Sequence, residues 1–161
     1  MDSVIVRHAA DRDIEVLTDL YKEFHEFHVK GLPDRLQNPL TYVDEGMRSK
    51  LAGILEAEGS TIFVAEFDGR VIGLAEVYLK EDEANPFKVL HTYAHLQSMV
   101  VIENHRRQKV GRKLLLAVER WAKERGASEI RLDIWEFEAG PLEFYEKQGY
   151  RTLRRTMVRK L

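Results

Sequence analysis

Apolar and polar positions recur with two different periods along the 161 residues, and the switches between them lay out the elements. Val4 to Arg7 alternates briefly, as a short strand does. From Arg12 to Val29 the apolar residues return every three or four positions, putting Ile14, Leu17, Leu20, Tyr21, Phe24 and Phe27 on one face of a helix. Gly31-Leu32-Pro33 breaks that helix, and the chain to Pro39 reads as loop. A second helix is predicted over Thr41 to Glu58, ending at Gly59. Thr61 to Phe67 and Val71 to Leu79 are strand-like and joined through Asp68-Gly69, a strong hairpin signal.

Lys80 to Lys88 is polar and contains Asn85-Pro86, a loop. Tyr93 to Ile102 is the next strand. Val110 to Arg125 is a helix with Leu114, Leu115, Val118, Trp121 and Ala122 on its apolar face, stopped by Gly126. Glu129 to Trp135 reads as a buried strand, and Pro141 suits the first turn of a short helix reaching Lys147. Gly149-Tyr150 is expected to open a final strand pair that ends in Thr156 to Lys160. The order β-α-α-β-β-β-α-β-α-β predicts a single domain over residues 1–161, a mixed α/β sheet with helices on both faces.

Composition narrows the chemistry. Without cysteine there is no disulfide, no thiolate nucleophile and no Cys-containing zinc site. No apolar run approaches the roughly 18 residues of a membrane span, and no signal peptide precedes Val4, so the expectation is a cytoplasmic protein with no membrane partner. The formal net charge of −2 argues against a nucleic-acid binder. Its distribution is uneven: Met1 to Lys80 carries about −6 and the remainder about +4, which suits a polyanionic ligand on one side and a cationic one on the other.

The basic excess concentrates in His105-Arg106-Arg107-Gln108-Lys109-Val110-Gly111-Arg112, between a strand and an amphipathic helix. Free backbone N–H groups and the positive end of a helix dipole make such a turn an anion site, and guanidinium groups match phosphate oxygens. Neither G-x-x-x-x-G-K-[ST] nor G-x-G-x-x-G occurs. The segment resembles the acyl-CoA pyrophosphate loop, [RQ]-x-x-G-x-[GA], of the GNAT superfamily of N-acyltransferases. Arg106 fills its first position and Gly111 its last, while Lys109 stands where the first glycine is usual. A second block, Leu132 to Glu138 followed by Pro141-Leu142-Glu143-Phe144-Tyr145-Glu146-Lys147-Gln148-Gly149-Tyr150, resembles the family's segment ending in [FL]-Y-x-x-x-G-[FY]. Two blocks at the correct separation are far more specific than either alone.

The resemblance spans almost the whole chain. It implies the GNAT fold, a mostly antiparallel mixed sheet with a splayed, bulged strand, and transfer of an acetyl group from acetyl-CoA to a primary amine. Arg106, Arg107, Gln108, Lys109, Val110, Gly111 and Arg112 would hold the pyrophosphate, and the main chain of Met99, Val100 and Val101 the pantetheine and the oxyanion. Tyr145 would contact CoA and protonate its departing thiolate; a phenol near pKa 10 suits that task. Glu138 stands where many members carry an asparagine that touches the cofactor, and an ionised carboxylate cannot donate that hydrogen bond. His95 is the candidate base, with a water chain as the alternative. Phe24 and His28 fall where members border the acceptor, and Glu76 is a candidate substrate carboxylate. His25 and His28 lack a third ligand, so no metal is expected. The acceptor stays open between small-molecule and peptide amines. A homodimer is what family members often form. The rival reading is an acyl-CoA-binding sensor or interaction domain of the same fold with little or no turnover.

Overall fold

In the computed structural model, which describes residues 3–39 and 45–161, a five-stranded sheet runs in the order β1-β2-β3-β4-β5. The strands are β1 (Ile5–His8), β2 (Ser60–Phe67), β3 (Arg70–Glu81), β4 (Thr92–Val101) and β5 (Glu129–Arg131). The first four pair antiparallel and β5 joins β4 in parallel. Helices α1 (Ile14–Gly31) and α2 (Glu45–Glu56) cover one face; α3 (Val110–Glu124) and the short α4 (Leu142–Lys147) serve the other.

Each face has its own core. Leu114, Leu115, Val118 and Trp121 of α3 pack on Ala75, Val77, Ala94 and Leu96, while Leu17, Leu20, Leu51 and Ile54 of α1 and α2 pack on Ile62, Val64 and Leu74. The alternation of β2 and β3 therefore divides its apolar residues between two helical layers, as a sheet covered on both sides requires. The β2–β3 turn is a tight one: Asp68 and Gly69 both take positive φ (50° and 72°), the left-handed pair that matches strand twist. An ion-pair cluster ties α1 to the sheet. Arg7 grips the buried Asp13 with two hydrogen bonds of 2.7 and 3.0 Å, and its Nε donates to Glu66 at 2.9 Å. The guanidinium beside it holds the Asp13 carboxyl below the usual range.

Two sequence expectations are corrected. The strand read as Glu129 to Trp135 keeps only Glu129–Arg131, because its pairing with β4 ends at His95↔Arg131. The three paired residues are held from outside: Arg131 binds Asp82 through two hydrogen bonds of 2.7 and 2.9 Å and lies 3.9 Å from the centre of the Tyr93 ring. The final strand pair is absent: residues 151–161 form no regular structure and are exposed throughout. Thr152, Met157 and Val158 give this stretch strand propensity, but five Arg and Lys side chains accompany them and the stretch pairs with no strand of the sheet. The predicted start of the second helix, Thr41, lies outside the described residues.

Candidate active site

A β-bulge organises the site. Glu76 pairs with Ser98 and Val77 with Leu96, so Gln97 is an extra residue on β4 with no partner on β3. The insertion reverses the facing of the strand: Ala94 and Leu96 join the α3 core before it, Met99 and Val101 join the same core after it, and Val100 turns to the opposite layer. β4 and β5 part company just before the bulge, at His95↔Arg131. The β5 side of residues 96–101 therefore has no strand beside it, leaving a V-shaped opening in the sheet. Arg106 Nε donates to the Val101 carbonyl at 2.9 Å, which occupies one acceptor at the wide end.

The basic turn closes the wide end of the V. Glu103–His105 makes one 3-10 turn, and Arg107 and Lys109 then both take φ 63° on either side of Gln108. The first backbone bond of α3 runs from Lys113 N–H to the Lys109 carbonyl at 3.1 Å, so the N–H groups of Val110, Gly111 and Arg112 precede the helical ladder. Arg107, Gln108, Lys109 and Arg112 are exposed. Arg106 is committed elsewhere: besides Val101 it pairs with Glu23 at 3.2 Å and lies 5.3 Å from the Phe27 ring centre. It acts as a strut between the turn and α1 more than as a free cation. Gly111 keeps clear of a neighbour: a Cβ there would stand 3.0 Å from the Phe144 ring, which would have to give by a few tenths of an ångström.

Lys109 adopts the left-handed conformation, which a glycine takes without cost. A non-glycine residue there costs about 1 kcal/mol, partly offset by the lower chain entropy of the unfolded lysine variant. Lys109→Gly is therefore expected to raise stability by up to about 1 kcal/mol, seen as a higher urea midpoint at unchanged slope. A lower midpoint would mean that the lysine side chain itself holds the turn.

Tyr145 lies on α4, buried beside this junction. Its ring meets Phe144 and Tyr150 edge to face at 5.2 and 5.5 Å, and its hydroxyl has no hydrogen-bond partner among the described residues. Burial pushes the phenol well above its usual range, with Tyr150 adding to the effect, so it stays protonated. His95 sits on β4 opposite Tyr78 and just before the bulge. Burial, reinforced by the Lys80 ammonium, lowers its pKa below the ordinary 6.5. It is neutral at physiological pH, the state in which an imidazole accepts a proton.

On the α1–α2 side of the same bulge lies a cavity of about 420 Å³ lined by Tyr21, Phe24, Leu51, Ile54, Glu76 and Gln97, among others. Glu76 is buried at 4% exposure, and its two oxygens accept hydrogen bonds from Tyr21 Oη at 2.6 Å and Tyr78 Oη at 2.5 Å. Burial and the adjacent carboxylate push both phenols up, so both remain donors.

The sequence candidates distribute unevenly over this geometry. Phe24 and Glu76 line the cavity. His28 belongs to a neighbouring aromatic cluster instead: its Nδ1 lies 2.8 Å from the Phe24 carbonyl and its ring packs on Phe24, Phe27 and Phe137. Glu138 is exposed in the turn closed by Gly140 N–H on the Phe137 carbonyl. Tyr21, Tyr78, Gln97 and Ser98 were not singled out from the sequence. Tyr21 and Tyr78 carried no signal beyond an apolar face and a strand; the one available clue was a carboxylate, Glu76, inside the run Leu74-Ala75-Glu76-Val77.

Comparison with known proteins agrees with this architecture. The model of the acetyltransferase (GNAT) family matches residues 15–150. An aminoglycoside N(6')-acetyltransferase type 1 of Serratia marcescens is 33% identical over 90 residues, covering 55% of this chain and 61% of its own length. Human N-acetyltransferase 8 is 28% identical over 114 residues, covering 68% of this chain and 48% of its own. The matches thus span about half to three-fifths of these curated relatives. Among solved structures, a mutant of the BH1408 protein of Bacillus halodurans superposes with a TM-score of 0.88 at 23% identity, covering 98% of this chain and 99% of its own. The aminoglycoside N-acetyltransferase AAC(6')-Iy in complex with CoA gives 0.79 at 20% identity, covering 100% and 96%.

Proposed function

The chain belongs to the GNAT acetyltransferase family, and from that premise we propose that it transfers an acetyl group from acetyl-CoA to a small primary amine. The observation that carries the reading is the V between β4 and β5, which opens at the bulge and is closed by a turn of unpaired helix N–H groups. An extended thioester laid along residues 97–101 would meet main-chain groups that no strand uses, with its pyrophosphate at the N–H groups of Val110, Gly111 and Arg112. Arg107, Lys109 and Arg112 add positive charge to that end. Structures of AAC(6')-Iy, which shares the fold, with CoA and with a CoA bisubstrate analogue concern that protein itself and lend support by analogy.

The reaction then follows from two titratable groups, His95 beside the bulge and Tyr145 on α4. The acceptor ammonium gives a proton to neutral His95, directly or through a water. Its lone pair attacks the thioester carbonyl, and the oxygen that becomes negative is met by main-chain N–H groups at the bulge. When the C–S bond breaks, the CoA thiolate takes the Tyr145 proton. Burial favours the protonated form of that phenol, while also making it a weaker acid than a free phenol.

Calorimetric titration with acetyl-CoA, CoA and dephospho-CoA, followed by thiol release with an amine panel, tests the proposal. Micromolar binding that weakens as phosphate is removed, together with thiol release, is the expected result. CoA binding with no thiol release from any amine would make the chain a sensor domain, and no binding would remove the cofactor assignment altogether.

A further inference from the structure

Glu76 presents an unusual electrostatic situation. Its carboxylate is almost wholly buried, yet its only partners among the described residues are two neutral phenols. No Lys, Arg or His lies within ion-pair distance of it among those residues. A buried carboxylate without a counter-charge is costly, and a cation arriving in the cavity would offset that cost. The cation has a place to stand, because the carboxylate opens onto the 420 Å³ cavity. The charged and titratable groups elsewhere on its wall are Lys50, from α2 and exposed to solvent, and His25, from α1.

The remainder of the wall specifies the rest of the ligand. Phe24, Met47, Leu51 and Ile54 line the cavity with apolar surface, and Gln37, Gln97 and Ser98 add polar groups to the same wall. Pressed on the four apolar side chains, a polyhydroxylated ring would lose water from its hydroxyls without replacing the hydrogen bonds there. A hydrocarbon chain or aryl ring would lose nothing and bury apolar area. Glu76 also pairs with Ser98, next to the bulge, so an ammonium on its carboxylate is delivered to the proposed point of acetyl transfer.

We infer that Glu76, positioned by Tyr21 and Tyr78, is the docking residue for the acceptor ammonium, and that the cavity selects a primary alkyl- or arylalkylamine over an amino sugar. This rests on the N-acetyltransferase reading and names its substrate class. It differs from what the names of the aminoglycoside-modifying relatives would suggest by analogy.

Two measurements on the full chain test it: thiol release from acetyl-CoA with hexylamine, 2-phenylethylamine and glucosamine, and calorimetric titration of the same amines in the presence of CoA. The two apolar amines should exceed glucosamine in kcat/KM by at least about tenfold. Glu76→Gln, near-isosteric and neutral, should raise KM for those amines by at least about tenfold while acetyl-CoA Kd moves less than about twofold. Tyr78→Phe, which leaves the carboxylate in place with one donor fewer, should give a smaller rise of the same kind, and circular dichroism reports whether either variant is folded. A preference for glucosamine, or amine KM and Kd unchanged in folded Glu76→Gln, overturns the inference. If no amine releases thiol yet hexylamine binds in a Glu76-dependent way, the cation site stands and the transferase reading falls. If other amines release thiol while these two neither bind nor react, the transferase reading stands and the inference falls.

Discussion

Tyr145→Phe is expected to lower kcat by about 10²–10³-fold while acetyl-CoA binds as before, because the substitution removes a proton donor and almost nothing else. The ring that packs against Phe144 and Tyr150 is retained, and the lost hydroxyl has no hydrogen-bond partner among the described residues to orphan. Stability should therefore hold, and the loss should fall on the step in which CoA leaves as a thiolate. That localisation is measurable with acyl thioesters of graded thiol pKa: the variant should be slowest, relative to the parent, where the leaving thiolate is most basic and recover as it becomes a better leaving group. The pH profile carries a second signature. Burial disfavours the phenolate and so raises the pKa, which means that Tyr145 stays protonated through the ordinary alkaline range. A basic limb near the usual phenol pKa should accordingly be missing from the parent profile. Turnover unchanged in Tyr145→Phe would give protonation of the thiolate to solvent and leave Tyr145 as a packing residue of α4.

The parts of this molecule that could be read from the chain are those written in local periodicity. Leu17, Leu20 and Phe24 mark the buried face of α1 because a helix repeats its environment every 3.6 residues, and Asp68-Gly69 marks its turn because few residues tolerate two left-handed positions. What escaped depends on a second segment of chain. Gln97 is a bulge only because β3 skips it, so nothing in Leu96-Gln97-Ser98 distinguishes it beforehand. β5 ends at Arg131 because β4 diverges there, although Leu132 and Ile134 continue the strand pattern. The C-terminal residues have strand composition yet join no strand of the sheet. Tyr21 and Tyr78 matter through a carboxylate 55 residues from one of them and two from the other, a convergence that only packing creates. The turn at Lys109 is the instructive middle case. Its resemblance to a glycine-bearing pattern was legible, and the lysine nonetheless takes the glycine conformation, so the strain is local and the shape of the turn is kept.

For His95→Ala the expected outcome is a loss of about 10²-fold in kcat/KM near neutral pH that shrinks as pH rises. The sign follows from the state of the imidazole. Burial and the Lys80 ammonium lower its pKa, so the charged form is the disfavoured one and the ring is a competent base down to pH values below the ordinary 6.5. The parent acid limb should therefore lie below 6.5. The same shift makes protonation cost stability: folding strength is complete above the unfolded pKa and is lost as pH falls through the lower folded value. Without the imidazole, attack depends on the fraction of amine already neutral in solution, which grows tenfold per pH unit up to an amine pKa near 10, so the variant should approach the parent at alkaline pH. His95→Gln, which keeps a polar side chain on β4 but cannot act as the base, separates proton uptake from simple loss of the side chain: it should behave like the alanine variant. If both variants keep the parent profile, the proton leaves through water, and the burial that lowers the His95 pKa serves the packing of β4 against Tyr78.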